Sequence, residues 1–269
     1  VKIARINELL AVVIGISVTT AFSFGAVAES SCSYVRIVQQ EYKSLADLDA
    51  WWASSEVLKS VLDQDFDDLK VETLKDISSK SLLQKIEGVS KQANKTSSDL
   101  TICYLAGHVN EAGQYLDQFG SPLDLSGILK KLSSQLKPDV ILVDTCYSKS
   151  GLQEGSAGKP SPLMIFASDR NELTFALDLK RKAPLDLKKR YPDTWKIVDQ
   201  KIGKKRDLNS RYISYLGFSI ARIWDEEKAD LSSKRGWRQL ALALTRDNEK
   251  AIFRDRGLGS NISVISNSR

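Results

Sequence analysis

The sequence has one histidine, one methionine, three cysteines and six prolines in 269 residues. Each scarcity excludes a class. A lone histidine cannot build a metal site of several imidazoles. Three cysteines cannot staple a disulfide miniprotein. Fifteen glycines and six prolines are too few for a collagen-like or low-complexity chain. Long apolar runs are scarce too. There is one, near the start, and mean hydropathy is −0.25, which excludes a polytopic membrane protein. What is present is 42% hydrophobic and 27% charged, with a net charge of +5. That length and balance supply a full core for one or two domains.

Residues 1–28 read as a secretory signal peptide. Lys2 and Arg5 precede the apolar run Leu9 to Val18, and Ala26-Val27-Ala28 is an A-x-A site before Glu29. Cleavage there leaves 241 residues. The alternative is an uncleaved anchor, since Leu9 to Ala28 is just long enough to span a bilayer. With the signal removed, the mature protein is expected to have no membrane span. It would work in a periplasm or outside the cell, where conditions are oxidising.

The remaining chain alternates two periodicities. Tyr34 to Val38, Leu69 to Thr73, Thr101 to Ala106, Val140 to Val143 and Leu163 to Ala167 read as strands. Leu48, Trp51, Trp52, Leu58, Val61 and Leu62 fall at helical spacing, with Asp47 as a candidate cap and the two tryptophans as core. Leu82, Leu83, Ile86 and Val89 mark a second helix, and Leu125 to Leu136 a third, stopped by Pro138. Asp63 to Asp68 is acidic but carries Asp68 and Leu74 where a calcium loop needs Gly and Glu, so it reads as a polar loop. Strands alternating with helices predict βαβ units and a mostly parallel sheet covered on both faces. Residues 29–179 form that α/β core. Residues 180–269 add a basic segment and a helical C-terminal part of the same domain. Lys180 to Arg206 holds eleven Lys/Arg and three Asp. Such runs are usually solvated loops, and nucleic acid is not expected as the main partner.

Reactive groups of an open parallel sheet collect beyond the carboxyl ends of its strands. His108 lies just beyond one predicted strand and Cys146 just beyond the next. Neighbouring strands are about 4.8 Å apart, so the two could face each other as a thiol–imidazole pair. Taken alone, each has a plainer reading, as a structural histidine and a core cysteine.

The local sequences add to this. Asp99 to His108, a strand ending in Ala106-Gly107-His108, resembles the strand-x-Gly-His segment of caspase-like cysteine peptidases. Asp139 to Ser148, a strand ending in Asp144-Thr145-Cys146-Tyr147-Ser148, resembles their strand-Asp-x-Cys-x-Ser segment, most closely in metacaspases and bacterial relatives. Leu163 to Arg170 looks like the strand and loop that follow, and Gly217-Phe218-Ser219 faintly resembles a later segment. The resemblance implies a three-layer α/β/α caspase-like fold and a cysteine endopeptidase acting on protein or peptide, without a cofactor. His108 and Cys146 would be catalytic, with the backbone N–H groups of Gly107 and Cys146 holding the oxyanion. Asp144 matches the position lining the first specificity pocket, with Asp169 as a second candidate. Carboxylates there favour Lys or Arg before the cut bond. A local loop cap is the plainer role for Asp144.

Two residues depart from the pattern. Val109 stands where the family usually has Gly, and its β-branch is expected to crowd the site. Lys149 stands where Gly usually follows the Cys-x-Ser. These departures motivate the alternative of a catalytically impaired module that binds a protein partner. Cys32 and Cys103 could pair, or Cys103 could be core.

Overall fold

The computed structural model describes residues 30–46, 48–93, 98–151, 162–169, 173–174, 176–178, 189, 191–202, 212–246 and 262–265. The elements in chain order are β1 (Ser31–Val38), α1 (Asp49–Asp65), β2 (Asp68–Lys75), α2 (Ser79–Ala93), β3 (Leu100–Gly107), β4 (Gln114–Leu116), β5 (Pro122–Asp124), α3 (Leu125–Lys131), β6 (Val140–Thr145), β7 (Leu163–Phe166), β8 (Ala176–Asp178), α4 (Pro192–Ile202), β9 (Tyr212–Ser214), α5 (Tyr215–Glu227), α6 (Lys234–Arg246) and β10 (Ser263–Ile265). A π turn, Leu132–Leu136, extends α3 until Lys137 takes a left-handed φ of 50° before Pro138. The Asp124 side chain caps α3 by accepting from the N–H groups of Ser126 and Gly127.

The main sheet runs β10-β7-β6-β3-β1-β2, with β10 antiparallel to β7 and the other pairs parallel. Both faces are covered, which is why β3, β6 and β7 are apolar almost without interruption. Successive residues serve opposite layers. On β3, Ile102, Tyr104 and Ala106 join the core under α1, α4, α5 and α6. Cys103 and Leu105 join the second core, under α2 and α3. This is the three-layer α/β/α architecture that the sequence resemblance implied. The five parallel strands end at one edge, so the loops after β1, β3, β6 and β7 meet there.

The predicted core strands and helices stand, most of the strands with longer ends, while β7 stops one residue short of Ala167 and the third helix passes from α to π at Leu132. The polar loop at Asp63 to Asp68 is corrected. Asp65 still belongs to α1 and Asp68 opens β2, and no metal-binding cluster occurs among the described residues. Asp65 is instead a structural acceptor for Trp224 Nε1 at 3.1 Å and the Leu231 N–H at 2.7 Å. Trp51 is core. Trp52 is half-buried under two cations, Arg36 at 4.4 Å and Lys75 at 5.0 Å. Asp47, the signal segment and most of the basic run lie outside the described residues. Among those residues, no helix is long and apolar enough to cross a membrane.

Candidate active site

β3 and β6 pair in register up to Gly107 and Thr145. His108 and Cys146 are therefore each one residue past that last pair, on adjacent strands. The imidazole is edge-on to the Tyr42 ring, with centroids 4.6 Å apart. The Tyr42 hydroxyl also accepts from the His108 N–H at 2.8 Å. His108 Nε2 lies 2.9 Å from the Ala46 carbonyl. A carbonyl only accepts, so Nε2 carries the proton in that bond. Nδ1 is then the acceptor nitrogen of the neutral ring.

Cys146 is half-buried, with its thiol 4.0 Å from the Thr174 carbonyl. Burial raises the thiol pKa, and the Asp144 charge adds to the rise. The thiol therefore rests protonated and needs a base to become nucleophilic. In this structure imidazole and thiol bond to Ala46 and Thr174 rather than to each other.

The turn after Cys146 is locked from below. Tyr147 adopts a left-handed φ of 49°, uncommon for a bulky residue. The Ser150 N–H closes the turn on the Tyr147 carbonyl at 2.9 Å. Ser148 is fully buried, donates to the Ser168 carbonyl at 2.7 Å, and its N–H donates to Ser168 Oγ at 3.0 Å. The serine of the Cys-x-Ser motif thus ties the cysteine turn to the end of β7. Ser168 could not be singled out from sequence, because nothing in spacing links it to Ser148.

Gly107 has a packing reason to be glycine. A Cβ there would lie 2.6 Å from the Tyr115 ring, whose hydroxyl donates to the Ala106 carbonyl at 2.9 Å. Val109 does not crowd the site. Its side chain is 4% exposed and sits in the core beneath, and its backbone bridges Tyr115. Gly217 is equally constrained, since a Cβ would lie 2.5 Å from Ser54 Cβ where α5 crosses α1.

Asp144 is wholly buried. Its carboxylate accepts from Trp51 Nε1 at 3.1 Å, the Tyr104 hydroxyl at 2.8 Å and the Ser214 hydroxyl at 2.5 Å. Burial pushes its pKa up to about 6, against the lowering effect of those three donors. It joins β6, β3, α1 and the β9–α5 junction rather than capping its own loop. Asp169 is half-exposed and pairs with Lys149 at 2.8 Å. The two departures noted from sequence therefore differ in kind: Val109 is core, and Lys149 neutralises a candidate specificity acid. Cys32 and Cys103 are free and buried, in cores on opposite faces of the sheet, so the pairing considered from sequence is not made. Burial pushes both thiols up to about 12.

A family model, the caspase domain of peptidase C14, matches residues 35–228. The match spans well over half of the chain. The protein belongs to the caspase-domain peptidase family. Among solved structures, caspase-1 from Spodoptera frugiperda is similar at 11% identity and a TM-score of 0.45, over 65% of this chain and 78% of that one. The search of curated proteins finds no match.

Proposed function

We propose that the protein is a cysteine endopeptidase in which His108 and Cys146 form the catalytic pair. The observation that carries this reading is their placement one residue beyond the last paired residues of adjacent parallel strands. The Ala46 carbonyl adds support, because it holds the proton on Nε2 and leaves Nδ1 to act as base. Nδ1 takes the thiol proton, and the sulfur attacks the peptide carbonyl carbon. The N–H groups of Gly107 and Cys146 receive the oxyanion. The proton then passes to the leaving amine, and water cleaves the acyl-enzyme.

Preference for Lys or Arg before the cut bond rests on Asp169, whose half-exposed carboxylate pairs with Lys149 at 2.8 Å and can exchange that partner for a substrate cation. Asp144 does not take this role, because it is wholly buried and its carboxylate is taken up by Trp51, Tyr104 and Ser214. We also propose that residues 1–28 are removed on export and that the protein acts in a periplasm or outside the cell. Intact mass of the protein recovered from that compartment tests the cleavage.

The deciding experiment is cleavage of Lys- or Arg-containing peptides by the purified mature protein. Cys146→Ala is expected to reduce it by at least about a thousandfold. Activity that survives the change would sink the assignment. A second reading, a partner-binding module without activity, draws on the separate bonding of thiol and imidazole. It expects Cys146 to resist a thiol-directed peptide warhead while a partner co-purifies, and rapid labelling would remove it.

A further inference from the structure

Five large apolar side chains are exposed among the described residues: Leu45, Phe119, Leu173, Tyr212 and Leu242. Scattered singly, such residues need no explanation. Leu45 and Phe119 are not scattered at random. Leu45, 39% exposed, precedes Ala46, whose carbonyl meets the imidazole at 2.9 Å. Phe119, 53% exposed, lies on the turn between β4 and β5. That turn is tied to the same loop. The Lys43 N–H donates to the Gln118 carbonyl at 2.9 Å, and Lys43 Nζ lies 4.5 Å from the Phe119 ring centroid. The Tyr42 hydroxyl, already bonded to the His108 N–H, lies 3.3 Å from the Leu116 carbonyl.

The sheet order fixes the side on which these residues lie. β6, β3 and β1 are consecutive, so Cys146, His108 and the loop after β1 follow one another along the carboxyl edge. We propose that Leu45 and Phe119 form the subsite for the residue after the cut bond and select an apolar side chain there. The inference rests on the His108–Cys146 reading. In that mechanism His108 delivers its proton to the leaving amine, so the departing segment lies on the histidine's side of the cysteine. A chain leaving in that direction crosses residues 42–46 and the turn at 117–120. An apolar side chain laid on Phe119 and Leu45 removes apolar surface from water. A serine at the same position gains nothing comparable.

The test uses the mature protein and internally quenched peptides that differ only in the residue after the cut bond. Leu or Phe is compared with Ser as a ratio of kcat/KM, with the cut position read by mass spectrometry. The unaltered protein is expected to favour the apolar peptides about tenfold. The Leu45→Ser, Phe119→Ser double variant is expected to bring the ratio towards one. Leu242→Ser, at an exposed leucine on α6, keeps it. Melting curves establish that the variants are folded. A ratio near one in the unaltered protein, or a preference that survives the double change, overturns the subsite and leaves the catalytic pair standing. Absence of any Cys146-dependent cleavage overturns the pair, and the subsite with it.

Discussion

Asp144 and Cys146 are two residues apart, yet one belongs to a closed region and the other to an open one. Asp144 is wholly buried and holds donors from α1, β3 and the β9–α5 junction. Cys146 is half-buried, and its thiol makes a long contact, 4.0 Å, with the Thr174 carbonyl. His108 is likewise half-buried, with its ring bonded among the described residues to the Ala46 carbonyl. The difference separates two tasks. The closed region fixes where the strand ends lie. On the proposed mechanism the open region leaves thiol and imidazole room to realign on a substrate, since catalytic contacts are often long before one binds. A change on one side of this contrast should leave a readable mark on the other.

The largest effect is expected inside the closed region. Asp144→Ala removes one carboxylate and leaves three buried donors without it. The cost should be about 3–5 kcal/mol in urea unfolding. A loss below about 1 kcal/mol would mean that water or movement satisfies those donors and that the region is not closed.

The next effect is a pH dependence. Burial holds the Asp144 pKa near 6, above the ordinary 3.8, so the folded protein keeps this proton to higher pH than the unfolded chain. Its contribution to stability is full below about pH 4 and is lost as pH rises through about 6, a change of about 3 kcal/mol. Asp144→Asn cannot ionise and lacks this slope. The stability difference between the two proteins, measured from pH 4 to 7, should therefore move in favour of the variant as pH rises. Glu87 and Asp99 slope the other way, because Lys91 and Lys131 bonds and Ser31 bonds hold their carboxyls below the usual range. They are common to both proteins and cancel in the difference. Parallel curves would contradict a buried ionisable Asp144.

A middling effect is expected at the boundary between the regions. Gly107→Ala places a methyl 2.6 Å from the Tyr115 ring, directly before the imidazole-bearing residue. Overpacking of this kind costs about 1–3 kcal/mol. It should also lower kcat more than it raises KM, because the displaced strand end carries both His108 and a proposed oxyanion donor. An unchanged kcat would show that the open loops correct for a shifted platform.

The closed region was largely legible in sequence, and the open one only in part. Unbroken apolar runs such as Val140 to Val143 announce strands buried on both faces, and the stripe from Leu125 to Leu136 announces its helix. The pairs β4–β5 and β8–β9 and the edge strand β10 were not legible. Each strand is three residues long and shows no period. His108 and Cys146 stood out because each follows an apolar strand. Tyr42, Ala46 and Thr174 did not, because two of the contacts run through backbone carbonyls that any residue could offer. Asp144 was singled out as a substrate acid, but its burial was invisible. Trp51 and Ser214, two of its donors, lie 93 and 70 residues away along the chain. Val109 misled for a related reason. Its bulk was legible, and the direction of its side chain was set by the pairing with Tyr115.

The smallest effect is expected at Lys149, on the open side. Its ion pair with Asp169 has side chains 34% and 40% exposed, a setting in which such pairs contribute less than about 1 kcal/mol. Lys149→Met should therefore leave stability almost unchanged and keep the aliphatic stem. Its consequence should be kinetic. Lys149 places a positive charge 2.8 Å from Asp169, in competition with any basic substrate side chain for the same carboxylate. Removing that charge should lower KM for Arg-containing peptides a few-fold at low salt, with kcat within about twofold, and the gain should shrink as salt screens the interaction. The expectation fails if KM rises. Lys149 would then be holding the loop after Cys146 in position, and the open region would depend on its own ion pair as the closed one depends on Asp144.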